Sequence, residues 1–128
     1  MNSKLLNKAV QDFINTNLKS DITKLILKGS PFKNCSMQEI AEQIIAKNKC
    51  EKKLPTWFRT KNIYFPNKLN IEQTSSEITA KYKASLIENA NSIVDISGGF
   101  GVDSYYFSKK GKHITHCEIN EVLSKIVA

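Results

Sequence analysis

The stretch Ile93-Val94-Asp95-Ile96-Ser97-Gly98-Gly99-Phe100-Gly101-Val102-Asp103 decides how the rest of this chain is read. A short apolar run stops at three glycines in four positions, and a helix pattern begins directly behind them. Ile93, Val94 and Ile96 are β-branched and suit a buried strand. The glycines supply unusual dihedrals and the bare backbone that close ligand approach needs. Val102, Tyr105, Tyr106 and Phe107 then give a helix with an apolar face, closed by Gly111, with Lys109 and Lys110 at its C-terminal end. Residues 113–117 alternate as a second strand, and Asn120 caps a helix containing Val122, Leu123, Ile126 and Val127. The order is strand, loop, helix, strand, helix, the opening of an α/β sheet with a nucleotide-type cradle in its first turn.

The charges around the loop narrow the ligand. Asp95 and Asp103 flank it, and no Lys or Arg occurs between Lys83 and Lys109. Carboxylates close to a phosphate repel it strongly in low dielectric, so two acids argue against a pyrophosphate. S-adenosylmethionine has no phosphate; its ammonium, sulfonium and ribose hydroxyls all suit carboxylates. Glu118 ends the second apolar run seventeen residues after Gly101. An acid about 20 residues on meets the ribose hydroxyls in a βαβ unit.

These residues resemble a family. Asp95 to Asp103, followed by Cys117-Glu118-Ile119-Asn120, is similar to motif I and the acidic motif of class I S-adenosylmethionine-dependent methyltransferases. Lys53-Leu54-Pro55-Thr56-Trp57, Tyr64-Phe65-Pro66 and Glu72 to Ala84 are similar to the N-terminal part of a bacterial methyltransferase family that carries a THUMP-like domain and looks directed at RNA. Gly98 and Gly99 are adjacent where the common pattern separates its glycines. The resemblance implies cofactor contacts from Asp95, Ser97, Gly98, Gly99, Phe100, Gly101, Asp103 and Glu118. It also implies a hydroxyl from Thr74, Ser75 or Ser76, with Ser76 the named candidate, although helix capping explains those residues too. A first-turn aspartate such as Asp103 gains roughly 0.3 to 1 kcal/mol from the helix dipole alone, so a structural role competes there as well. The family's catalytic motif and THUMP-like domain lie downstream of Ala128, so no residue present is assigned catalysis, and the chain reads as an N-terminal fragment.

The remaining sequence divides by charge. Residues 1–90 hold fifteen of the nineteen basic residues and eight of the twelve acids, whereas residues 91–128 balance at four of each. A basic excess of that kind is a footprint for RNA phosphates, with a solvated lysine surface as the competing reading. No apolar run reaches the roughly 20 residues of a membrane span and the N-terminus lacks a signal-peptide pattern, which leads to a cytoplasmic, membrane-free expectation. Cys35, Cys50 and Cys117 form no C-x-x-C pair and read as reduced, mostly packing thiols. His113 and His116, three apart on a strand, point to opposite faces, so no metal is expected.

Apolar spacing predicts one amphipathic helix over residues 3–17, and a second from an Asp21 cap to Gly29. A third starts at the capping box Ser36-Met37-Gln38-Glu39 and ends near Asn48, with Lys47, Lys49, Lys52 and Lys53 as a basic cluster that either complements the helix dipole or faces RNA. Residues 54–70 read as a loop-rich connector whose aromatics either pack or stack on unpaired bases. A helix capped by Ser75 or Ser76 then runs to about Glu88, packing Ile78, Tyr82 and Leu86 with Ala80 and Ala84 against the sheet.

The expected fold is thus α/β. Residues 1–70 form an N-terminal helical region and connector, and residues 71–128 the first βαβα of a doubly wound, Rossmann-like sheet, truncated. The expected function is the cofactor-binding front of an S-adenosylmethionine-dependent RNA methyltransferase. Two rivals stand beside it: a non-catalytic RNA- or protein-binding module, and an NAD- or FAD-dependent oxidoreductase, for which Ser104 replaces the third glycine of G-x-G-x-x-G.

Overall fold

The computed structural model describes residues 1–87 and 89–128. They divide into two compact units, Met1–Ile71 and Glu72–Ala128.

The N-terminal unit is helical. Ser3–Leu6 forms a 3-10 helix and α1 is Lys8–Thr16, so the single helix expected over residues 3–17 is broken. Asn7 causes the break: it is extended (φ −59°, ψ 138°) and its side chain accepts from the amide of Ala9. Asparagine amides compete in this way with helical continuation. Helix α2 is Ile22–Lys28, capped by Asp21 and ended by Gly29, as its sequence predicts. Helix α3, Met37–Lys53, starts on the predicted capping box, with Ser36 Oγ accepting from the Glu39 amide and the Glu39 carboxylate accepting from the Ser36 amide.

α3 is the axis of the unit and packs against α1, α2 and α4 (Pro55–Arg59). Leu5, Val10, Ile14, Leu25, Ile40 and Ile44 form the core, with Phe13 and Phe32 meeting edge to face at 5.6 Å. Helix α3 runs past Asn48 because Cys50 and the capping Leu54, both wholly buried, extend its apolar stripe. Lys47 lies on that same stripe and is only 5% exposed, which removes it from the expected basic surface cluster.

The connector expected over residues 54–70 instead contains α4 and the start of α5, Lys68–Gln73. Pro55 at the first turn of α4 fits, because that position needs no amide donor. Phe65 and Pro66 are buried and Tyr64 packs on the core, so these aromatics hold the segment down. The Gln43 side chain fixes the segment by bonding both the carbonyl and the amide of Phe65, at 2.8 and 2.9 Å.

The C-terminal unit contains α6 (Glu77–Ser85), β1 (Ser92–Asp95), α7 (Val102–Ser108), β2 (His113–His116) and α8 (Glu121–Val127). Strands β1 and β2 pair in parallel, with Ser92 opposite His113 and Asp95 opposite His116. Helix α7 forms the crossover and packs on β2 and on α6. The expectation of a buried first strand is corrected: Val94 and Ile96 are 61% and 83% exposed. Parallel strands are buried only when both faces are covered, and in this unit one face is bare.

The orientation of α6 also differs from expectation. Ala80 and Ala84 are buried, but Ile78, Tyr82 and Leu86 point outward. The small alanines allow close approach to α7, and the buried Glu77 receives the Tyr106 hydroxyl at 2.9 Å. The helix stops at Ser85; Glu88, expected near its end, lies outside the described residues. Helix α8 is capped by Asn120, whose side chain accepts from the Leu123 amide. No described helix is long and apolar enough to cross a membrane.

Candidate functional site

The glycine loop joins β1 to α7 and is tied to the end of β2. The Cys117 amide donates to Asp95 O at 2.8 Å, the Gly98 amide to Cys117 O at 2.9 Å, and the Gly101 amide to Gly98 O at 2.8 Å. Two of the glycines are required by what surrounds them. A Cβ on Gly98 would lie 2.2 Å from the imidazole of His116. Gly101 has φ +73°, and a Cβ there would meet Val127 at 2.9 Å. Phe100, between them, is buried.

The predicted carboxylates gather here, each held differently. Asp95 accepts from the Ser104 hydroxyl at 2.7 Å and from the Ser97 amide at 3.3 Å, so it braces the loop against α7. Glu118 accepts from the Gly99 amide at 2.9 Å and the Asn120 amide at 2.8 Å. The Asn120 bond leads, with the Gly99 bond adding, in holding the Glu118 carboxyl below its ordinary pKa; each oxygen retains capacity for a further donor. One oxygen of Asp103 accepts from Ser75 Oγ and from Lys83 Nζ, both at 2.8 Å. Its other oxygen is buried without a hydrogen-bond partner.

Ser76 is not brought to this cluster by its side chain, which caps α6 by accepting from the Thr79 amide. Its neighbour Ser75 reaches Asp103 instead. Three residues of the cluster escaped the sequence reading: Ser104, Lys83 and His116. The available signal for His116 was its place at the end of β2, two residues before Glu118.

A ligand suited to this loop offers donors and positive charge. Asp103 has an unpartnered oxygen, Glu118 retains free lone pairs, and the Lys83 ammonium is already neutralised by Asp103. That acceptor set suits a ligand bearing an ammonium and hydroxyls better than a pyrophosphate.

Comparison with known proteins gives one solved structure of the same fold, a crystal structure described as "putative methyltransferase from Porphyromonas gingivalis W83". The TM-score is 0.79 at 23% identity, over 97% of this chain and 31% of that one. The chain therefore spans about a third of the length of that protein and shares its α/β fold over that span. No family model and no curated protein matches.

Proposed function

We propose that this chain is the front of a cytoplasmic S-adenosylmethionine-dependent RNA methyltransferase, contributing the cofactor loop while the catalytic motif belongs to the rest of the enzyme. The observation that carries this reading is the Glu118 carboxylate, fixed by the Gly99 and Asn120 amides beside the glycine loop with acceptor capacity left for two ribose hydroxyls. The unpartnered Asp103 oxygen offers one further acceptor to a hydrogen-bond donor of the ligand. When bound, the cofactor supplies a sulfonium-activated methyl group for transfer to a nucleophile on a base. The likeness in fold to the longer Porphyromonas gingivalis protein supports the assignment. The bare face carrying Val94 and Ile96 supports a larger doubly wound sheet, in which further layers cover it.

Calorimetry with S-adenosylhomocysteine and with NADH tests it. Heat with S-adenosylhomocysteine is expected, and Glu118→Gln weakens it about tenfold, the effect of losing one charge-assisted contact. Heat with NADH alone sinks the assignment. The same bare face also favours a second reading, a non-catalytic module in which another copy covers it. A dimer in sedimentation, without cofactor binding, is that module's signature.

A further inference from the structure

The N-terminal unit contains a cavity of about 290 Å³ that the loop chemistry does not use. Lys8, Asp12, Asn15, Lys61 and Asn62 line it. Lys8 is paired with Asp12 at 2.6 Å, which neutralises both. Lys61 is exposed and has no acidic partner among the described residues. Asn15 accepts a 2.8 Å bond from the Lys47 ammonium through Oδ1, so the group it has left for a ligand is its NH2 donor. Lys47 itself is 5% exposed, lies 5.7 Å from the ring centroids of both Phe58 and Phe65, and has no carboxylate partner among the described residues.

The cavity is thus positive at its wall and positive behind it. Three cations serve it against one acid, and the buried one is poorly screened by salt because it is shielded from water. An uncompensated buried cation one hydrogen bond behind a lining amide calls for an anion in front of that amide. The surrounding unit favours an anion belonging to a polymer. Residues 1–71 hold thirteen basic residues against five acids, while residues 72–128 hold six against seven. A single small anion leaves that field unused, whereas a strand uses it by releasing counterions at successive phosphates.

We propose that this cavity grips a backbone phosphate of single-stranded RNA, with Lys61 as the direct cation and Asn15 as the donor set by Lys47. The proposal rests on the RNA part of the reading above and is independent of the cofactor loop.

Fluorescence anisotropy of a labelled twelve-nucleotide RNA with the full chain tests it. Lys61→Glu is expected to weaken binding about tenfold and to lower the salt slope by about one or more, while the same charge change at exposed Lys24 on α2 shifts affinity less than about twofold. Asn15→Asp separates binding from folding. It gives Lys47 a carboxylate partner, so it is expected to raise the melting temperature while weakening RNA binding by a similar factor. Equal losses from Lys61→Glu and Lys24→Glu overturn the cavity and leave a diffuse electrostatic surface. Displacement of the RNA by inorganic phosphate or a nucleoside 5′-monophosphate is expected only at concentrations far above that of the RNA. Displacement at matching concentrations assigns the cavity to a free nucleotide and overturns the strand. No binding of RNA to the unaltered chain removes the RNA reading altogether, whereas heat with S-adenosylhomocysteine still reports on the cofactor loop.

Discussion

The imidazole of His116 fills the space in front of Gly98, so that a Cβ at that glycine would sit 2.2 Å from its Cδ2 and Nε2 atoms. The end of β2 is thereby locked under the loop that follows β1, and the two strand ends carry their acids to one place. Gly98→Ala is expected to destabilise the C-terminal unit by about 1 to 3 kcal/mol through overpacking. In the double variant with His116→Ala most of that loss is recovered. Urea unfolding of the two single variants and the double variant measures the coupling, and additive losses contradict the contact.

Lys47 is held by burial below the ordinary lysine pKa, with the neighbouring Cys50 opposing the shift. The unfolded chain therefore binds the proton more tightly than the native one. Below the depressed native value the full cost is present; stability rises as pH climbs from that value toward the ordinary lysine range, and levels off above it. Lys47→Met, which keeps the stem's packing, is expected to flatten this alkaline rise. Melting temperatures between neutral pH and pH 10 read it out, and an unchanged profile means that another group is responsible.

The capping box of α3 gives the opposite sign. The Ser36 amide, then the Asn2 side chain, hold the Glu39 carboxyl below its usual range. Stability from this contact is complete above the unfolded carboxyl value and is lost as pH falls through the lowered native one. Glu39→Gln should remove that acid sensitivity. Ser36→Ala should cost about 1 kcal/mol at neutral pH while leaving the acid limb in place, because the amide of residue 36 survives the change.

The three cysteines are not equivalent. Cys35 and Cys50 are buried and burial raises both thiols, Cys50 to about 12, whereas Cys117 is exposed. Two of the three thus pack in the interior, in line with the expectation of mostly packing thiols. Titration of the native chain with a disulfide reagent should show one fast thiol, located at Cys117 by peptide mapping, and two that react only on unfolding. Three fast thiols contradict the buried positions.

The features visible in the sequence were those decided between near neighbours. Asp21, Ser36 and Asn120 cap their helices because the amides they bond lie three residues on, and the glycine loop announces itself by composition. What escaped depends on residues far apart in the chain. The burial of Lys47 needs Asn15 and two rings from later segments. The outward turn of Ile78 and Tyr82 reflects the Tyr106 hydroxyl, which makes burying Glu77 tolerable. Burial of the first strand was expected because its composition suits it, but composition carries no information on whether a covering layer is at hand.

The division at Ile71 has a consequence in time. The helices that build the N-terminal core all precede it, so the ribosome synthesises that core before it makes β1. At about 5 to 20 residues per second the 57 residues of the second unit take roughly 3 to 11 s to synthesise. Helices with local contacts pack in milliseconds or less. The N-terminal unit can thus pack as soon as it clears the exit tunnel, ahead of the parallel strands that follow it, and a nascent chain stalled at that point already presents its positive surface to whatever surrounds the tunnel mouth.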